Sequence, residues 1–180
     1  LNSTTGKELW KFSAHEDLVT VPVVSDGKVF VASQTDTLFV VDAATGKWLW
    51  QYRRESPSGF SVRGASEPLV EGSRVYVGFS DGSLVALSTG EGTVIWEKKL
   101  SRPNPQGFLD VDAGPVSDGA GKIYVASYQA GVFALNSEDG TTAWISAMPG
   151  ITALTWADAQ NPKLLWATGD SKYLKEAAYT

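Results

Sequence analysis

Leu1-Asn-Ser-Thr-Thr-Gly6-Lys-Glu-Leu-Trp10 returns as Val41-Asp-Ala-Ala-Thr-Gly46-Lys-Trp-Leu-Trp50. It returns again as Leu87-Ser-Thr-Gly-Glu-Gly92-Thr-Val-Ile-Trp96 and as Leu135-Asn-Ser-Glu-Asp-Gly140-Thr-Thr-Ala-Trp144. Every copy keeps an aliphatic residue five before the Gly and a Trp four after it. Gly6, Gly46, Gly92 and Gly140 follow one another at steps of 40, 46 and 48 residues. Self-similarity at such a period marks a repeat architecture and decides the fold before any single residue is weighed.

A second pattern repeats inside each period. Pro22-Val-Val leads to Lys28-Val-Phe-Val-Ala-Ser33, Pro68-Leu-Val to Arg74-Val-Tyr-Val-Gly-Phe79, and Pro115-Val to Lys122-Ile-Tyr-Val-Ala-Ser127. Leu38-Phe-Val-Val41, Leu84-Val-Ala-Leu87 and Val132-Phe-Ala-Leu135 come next. These β-branched and aromatic runs, bounded by Asp26-Gly27, Asp81-Gly82 and Asp118-Gly119, read as strands joined by tight hairpins. Each repeat therefore supplies four strands, A from the Pro, B and C from the two runs, and D carrying the Trp. Four short strands per unit of about 40–45 residues predict the blade of an all-β propeller.

The Gly-to-Trp spacing has a physical reading. A C-to-D hairpin needs one residue at positive φ, which Gly adopts without a Cβ clash. Asn2, Asp42 and Asn136 are placed to bond the turn backbone, and Ser88 does so more weakly. The even step from Gly to Trp fixes the sheet face on which the indole stands. A Trp there buries about 150–250 Å² against the next blade. Gly6, Gly46, Gly92 and Gly140 with Trp10, Trp50, Trp96 and Trp144 are thus expected to be docking residues. A Trp needed once per blade serves packing before it serves a ligand.

The strand inventory sets the domain organisation. Residues 1–13 read as a lone outer strand D, and blades are expected at 19–53, 65–100 and 112–147. Residues 151–176 read as an eroded A-B-C unit built from Ile151–Trp156, Leu164–Ala167 and Tyr173–Leu174. The whole of 1–180 is expected to be one partial propeller with about four blades' worth of strands. Wide blades favour seven or eight members, and open blade edges expose unpaired backbone. The expectation is therefore part of an eight-bladed ring, or two such halves joined.

Composition narrows the functions. The 180 residues are 43% hydrophobic and 19% charged, with 18 Gly and 8 Pro, as suits a turn-rich β protein. No apolar run approaches the ~20 residues of a membrane-spanning helix. A formal charge of −5 argues against nucleic acid as a partner. With no cysteine there is neither a disulfide nor a thiolate metal site.

Binding is expected at one end of the blades. Strands alternate direction, so every D-to-A crossover lies at the same end, together with the B-to-C hairpins. The crossovers 54–64 and 101–111 are the longest non-strand segments, sit on consecutive blades and are therefore neighbours. One offers Arg53, Arg54, Phe60 and Arg63; the other offers Arg102, Phe108, Leu109, Asp110 and Asp112. Arginines and aromatics ringed by charge make a plausible set of binding anchors. The plainer reading is that Arg63 pairs with Asp110 or Asp112 and ties the loops together, contributing about 0–1 kcal/mol if exposed.

The repeat Leu/Val-Asp/Asn-x-x-x-Gly-x-x-x-Trp resembles the quinoprotein-type propeller family, named for pyrroloquinoline quinone (PQQ) enzymes. Ser61-Val-Arg63-Gly-Ala-Ser-Glu-Pro68 and Phe108-Leu-Asp110-Val-Asp112-Ala-Gly-Pro115 narrow the likeness to its BamB branch, the lipoproteins of the outer-membrane β-barrel assembly machinery. Over about 19–150, that resemblance implies a non-catalytic scaffold in the periplasm, peripheral to the outer membrane and tethered by a lipid outside this sequence. It implies as partner the POTRA domains of the barrel subunit BamA, with nascent outer-membrane proteins as a further one. Phe60, Val62, Arg63, Asp110 and Asp112 are the partner-binding residues it implicates, with Phe60 replacing an aliphatic residue.

An enzyme is the alternative, because quinone-dependent dehydrogenases share the blade repeat. Those enzymes need a calcium ion, a carboxylate base and residues sandwiching the quinone, and many carry an adjacent cysteine pair. Here the single histidine, His15, sits in a polar loop beside Glu16 and Asp17. Asp36, Asp81 and Asp170 fall at hairpins, where Asp is common for turn reasons. No carboxylates have calcium-loop spacing and there is no Gly-x-Ser-x-Gly or phosphate loop. No catalytic residue, metal or cofactor is expected. A propeller binding some other protein is the remaining alternative.

Overall fold

A computed structural model of the chain describes residues 1–55, 65–100, 111, 113–156 and 165–169. Three antiparallel sheets of four strands and one of two strands form the architecture among these residues. The first blade holds β1 (Val23–Ser25), β2 (Lys28–Ala32), β3 (Thr37–Asp42) and β4 (Trp48–Arg53). The second holds β5 (Leu69–Glu71), β6 (Arg74–Gly78), β7 (Ser83–Ser88) and β8 (Val94–Lys99). The third holds β9 (Val116–Ser117), β10 (Lys122–Ser127), β11 (Gly131–Asn136) and β12 (Thr142–Ser146). β13 (Ile151–Trp156) and β14 (Leu165–Gly169) pair with each other. In every complete blade the strands lie in chain order, so each is a simple meander of hairpins.

The innermost strands are short because each follows a proline, which has no N–H to give to the ladder. Hydroxyl groups two residues before the proline accept N–H groups of the second strand beyond the short ladder. The Ala32 N–H donates to Thr20 Oγ1 at 2.9 Å, and the Gly78 N–H donates to Ser66 Oγ at 2.9 Å.

Cores form between blades rather than within them. Phe30, Leu38, Val40 and Trp50 of the first blade pack with Val75, Val77, Phe79 and Leu87 of the second. Tyr76, Leu84 and Trp96 continue into Ile123, Val125 and Leu135 of the third. Ala126 and Val132 meet Ile151 and Leu154 of β13. These side chains alternate along strands whose other face serves the opposite junction, so β3, β7 and β11 are buried almost throughout.

Two differences from the sequence reading have clear causes. Residues 1–13 keep the repeat's turn, with the Gly6 N–H donating to Asn2 O at 2.8 Å, but carry no strand. In the complete blades strand D pairs with the strand C before its turn, and nothing within 1–13 supplies one. The second difference lies in the step from Gly to Trp. Each C-to-D pair is bulged at the same place, with Val40 facing Trp50 but Val41 facing Trp48. Ala86 faces Trp96 and Leu87 faces Val94, so Ile95 is the extra residue there as Leu49 is in the first blade. The bulge breaks the alternation of period two. Trp48 is therefore 56% exposed although it stands two residues from Trp50, which is 7% exposed. In the last unit, Tyr173–Leu174 lies outside the described residues.

Candidate functional site

The sequence places the repeated Trp and Gly at blade junctions, and the described geometry gives their contacts. The Trp10 indole N–H donates to Ala43 O at 3.0 Å, Trp50 to Thr89 O at 3.3 Å, and Trp96 to Ser137 O at 3.0 Å. Each acceptor belongs to the C-to-D turn of the following blade. The ring lies against that turn's glycine: a Cβ on Gly46, Gly92 or Gly140 would stand 2.4, 2.5 or 2.6 Å from Cε3 of Trp10, Trp50 or Trp96. Glycine here serves its own turn at φ near 70° and also the flat approach of a neighbour's indole. Gly6 has positive φ but nothing within 4 Å. Trp144 is half-buried, with its ring centroid 5.7 Å from that of Tyr124. Turn bonding follows the side chains: Asp42 Oδ1 accepts from Thr45 N at 2.8 Å, and Ser88 Oγ accepts from Gly90 N at a longer 3.2 Å.

Trp156 also takes part, although the repeat gives no sign of it. Its indole N–H donates to Ser117 O at 2.7 Å, and its ring meets Tyr124 edge-on at 5.1 Å. An inner-strand Trp thus fastens β13 to the third blade.

Phe60, Val62, Arg63, Asp110 and Asp112 lie outside the described residues. What is described is the ground on which their two crossovers stand, the B-to-C hairpin of the second blade, Phe79–Ser83. The Arg54 guanidinium, where the first crossover begins, donates to Asp81 Oδ2 at 2.6 Å. It also donates to both oxygens of Glu97, at 3.0 and 2.9 Å, and to Tyr52 Oη at 3.3 Å, and lies 5.7 Å from the Phe79 ring centroid. That crossover ends at Ser66, whose N–H donates to Gly78 O at 2.8 Å.

The second crossover uses the same hairpin. Leu100, fully buried, donates its N–H to Gly82 O at 2.8 Å, and the neighbouring Lys99 Nζ donates to Asp81 Oδ2 at 3.3 Å. At its far end the Val111 N–H donates to Phe79 O at 3.4 Å. A Cβ on Gly78 would stand 2.3 Å from Val111 Cγ1, so only glycine lets that residue sit there. Both crossovers therefore enter and leave on six consecutive residues, 78–83.

Electrostatics follows from this packing. Burial pushes the Asp81 carboxyl up, but the Arg54 hydrogen bond and charge and the Lys99 charge reverse the effect and lower its pKa. Burial also opposes the Arg54 charge, and the carboxylates of Glu97 and Asp81 raise its pKa above the ordinary value. Asp81 further accepts from Ser83 N at 3.0 Å, the turn role that the sequence suggests for it. Asp36 is fully buried and accepts from the Ser80 N–H at 3.0 Å and from the Ser80 hydroxyl, which ties the first blade's hairpin to the second's. Both aspartates do more than shape turns, and hairpin spacing alone cannot reveal a partner on another blade. His15 is exposed, and its neighbour Glu16 accepts from the Ser33 hydroxyl at 2.7 Å and pairs with Arg53 at 3.4 Å. Asp170 lies outside the described residues.

A cavity of about 540 Å³ opens where the inner segments converge, walled in part by Thr20, Gln34, Ser66, Glu67, Gly114 and Thr152. Glu67 is the one ionisable side chain among the described residues of its wall. Among the described residues no three His, Asp or Glu side chains gather to hold a metal ion.

Comparison with known proteins divides along the two functional alternatives. A family model described as outer membrane protein assembly factor BamB matches residues 1–177. Outer membrane protein assembly factor BamB of Shewanella oneidensis is 28% identical over 120 residues, covering 64% of this chain and 30% of its own length. Quinoprotein ethanol dehydrogenase of Pseudomonas aeruginosa is 36% identical over 104 residues, covering 54% of this chain and 15% of its own length. The match thus spans under a third of either relative. Among solved structures, BamB from Moraxella catarrhalis superposes with a TM-score of 0.67 at 28% identity, over 81% of this chain and 44% of that one. The computationally designed Ika4 protein gives 0.72 at 16% identity, over 97% and 99%, a likeness of fold alone.

Proposed function

The chain belongs to the BamB family of propellers built from PQQ-type repeats, and from that premise we propose that it is a non-catalytic scaffold of outer-membrane protein assembly. In this reading it works on the periplasmic side of the outer membrane as part of a larger ring and holds the POTRA domains of BamA. The contact is made by the crossovers 54–64 and 101–111 with the adjoining Asp112, through Phe60, Val62, Arg63, Asp110 and Asp112. Nascent outer-membrane proteins are the clients that benefit from the assembly.

One observation carries the reading: two long crossovers from consecutive blades are rooted on a single hairpin, Phe79–Ser83. Long loops rooted on a rigid scaffold are where binding residues concentrate. An arginine and two aspartates on such loops suit recognition of a partner surface carrying both signs of charge.

The test is titration of the chain against purified POTRA domains, with Arg63→Glu and Asp110→Arg in parallel. Saturable binding that is lost in both variants, with unchanged far-ultraviolet circular dichroism, is the expected outcome. Arg63→Glu that unfolds the protein makes that loop structural instead. Binding that survives both variants moves the site elsewhere, and no binding by the unaltered protein removes the partner.

A second reading is kept by the dehydrogenase relative, whose 36% identity exceeds that of the BamB relative. It requires a quinone and calcium to bind together, and a new absorbance band on mixing the protein with both is its signature. The cavity where the inner segments converge offers Glu67 as the one carboxylate among the described residues of its wall.

A further inference from the structure

Asp81 stands at the point where the two crossovers share a root. Its Oδ2 accepts from Arg54, where the first crossover begins, and from Lys99, which precedes the second. Arg54 is gripped twice over, because its backbone N–H donates to Asp36 O at 3.0 Å while its side chain reaches the next blade. With 17% of the Arg54 side chain and 16% of the Asp81 side chain exposed, the pair is shielded from solvent, whereas Glu97 and Lys99 are 42% and 53% exposed.

The cluster is not a requirement of the repeat. Leu100 and Met148 stand four residues after their Trp, as Arg54 does, and Thr35 and Gln129 hold the hairpin position of Asp81. At the junctions on either side, among the described residues, Trp10 and Trp96 dock on the next blade's turn as Trp50 does here. The Arg54–Asp81 and Lys99–Asp81 pairs stand where the described ends of both long crossovers meet. A bidentate guanidinium fork also fixes direction as well as distance, which a packing contact does not.

We propose that Arg54 and Asp81 are positioning residues that couple the two crossovers into one unit, so that a change at the root of either loop alters both. The effect on partner affinity rests on the reading of these loops as the BamA-binding surface; the coupling itself does not. Asp81 is the joint, Arg54 the arm to the first loop, and Lys99 the arm to the second.

Hydrogen–deuterium exchange of the full chain tests the coupling without any partner. Peptides spanning 54–66 and 99–113 are followed in the unaltered protein, in Lys99→Gln and in Asp81→Asn. Lys99→Gln removes an exposed charge, so it keeps the fold even if Asp81→Asn does not. Coupling predicts faster exchange in both segments for Lys99→Gln, including 54–66, which contains no altered residue. Acceleration confined to 99–113, or none in either segment, overturns the proposal. Titration of the same variants against POTRA domains then reads the consequence, a Kd raised about tenfold for Asp81→Asn. If the unaltered protein does not bind those domains, the partner is wrong while the exchange result still decides the coupling.

Discussion

Trp50 lies flat against Gly92 of the following blade, so close that a Cβ on that glycine would stand 2.5 Å from the indole Cε3. Two residues separated by most of a repeat thus occupy one volume, and each sets the size limit of the other. Gly92→Ala must both strain a backbone at φ +72° and push the indole off its seat. Gly6→Ala carries a similar strain at φ +68° with nothing within 4 Å to displace. Strain alone costs about 1–2 kcal/mol, and overpacking adds about 1–3 kcal/mol. Thermal melts of the two variants are expected to show a distinctly larger fall in Tm for Gly92→Ala. Equal falls contradict the close seat.

The bulge between β3 and β4 sets up a second contrast. Trp50→Ala empties a buried site in the first interblade core and is expected to cost about 3–5 kcal/mol. Trp48→Ala, two residues away but 56% exposed, is expected to change stability by no more than about 0.5 kcal/mol. Urea unfolding of both variants decides it. Comparable losses would mean that the strand alternates without a bulge.

How much of this was legible in the sequence depends on whether a signal was local. Four copies of Gly-x-x-x-Trp carry the period, the strand count and the all-β class, because a turn and its flanking strands are written in neighbouring residues. The bulge after Val40, Ala86 and Ala134 was not legible, since Leu49, Ile95 and Ala143 fit a strand whether or not they are paired. The second role of Gly46, Gly92 and Gly140 was hidden for a related reason. Positive φ already explains a turn glycine, and the indole above it comes from another repeat. The end of the blades at which the crossovers lie could be reasoned from strand direction alone. That both crossovers are rooted on residues 78–83 could not, because Asp81 reads as an ordinary turn aspartate until Arg54 and Lys99 are seen beside it.

Acid should loosen the junction between the first two blades, through Asp81, and the segment leading into the first blade, through Glu16. Asp81 and Glu16 both have lowered pKa values: burial raises each, and Arg54 with Lys99 in one case, Thr35 and Ser33 with Arg53 in the other, more than reverse it. A carboxyl lowered on folding contributes stability above its unfolded value, and that contribution is lost as pH falls through the folded value. The ordinary values here are 3.8 for Asp81 and 4.5 for Glu16, so the loss begins as pH falls through that range and continues below it. Urea midpoints measured from pH 7 down to about 3 are expected to fall less steeply for Asp81→Asn than for the unaltered protein. Parallel curves would mean that the Arg54–Asp81 pair contributes nothing to folding.

Alkali should act on the attachment of β13 instead. Tyr124 lies between Trp144 and Trp156, and its hydroxyl donates to Asp118 Oδ2 at 3.3 Å. Burial, then the Asp118 charge, then that hydrogen bond push its pKa from the ordinary 10.0 up to about 12. Folding therefore favours the protonated phenol, so the stability it contributes is complete below pH 10.0 and is lost as pH rises through about 12. Ionisation would place a phenolate against the Asp118 carboxylate and beneath the Trp156 ring that fastens β13 through Ser117. Tyr124→Phe keeps the ring contacts and removes the ionisation. The variant is expected to retain its Trp fluorescence through that pH range, while the unaltered protein loses the buried signal as tyrosinate absorbance rises. Identical fluorescence titrations for the two proteins would show that β13 is held independently of Tyr124.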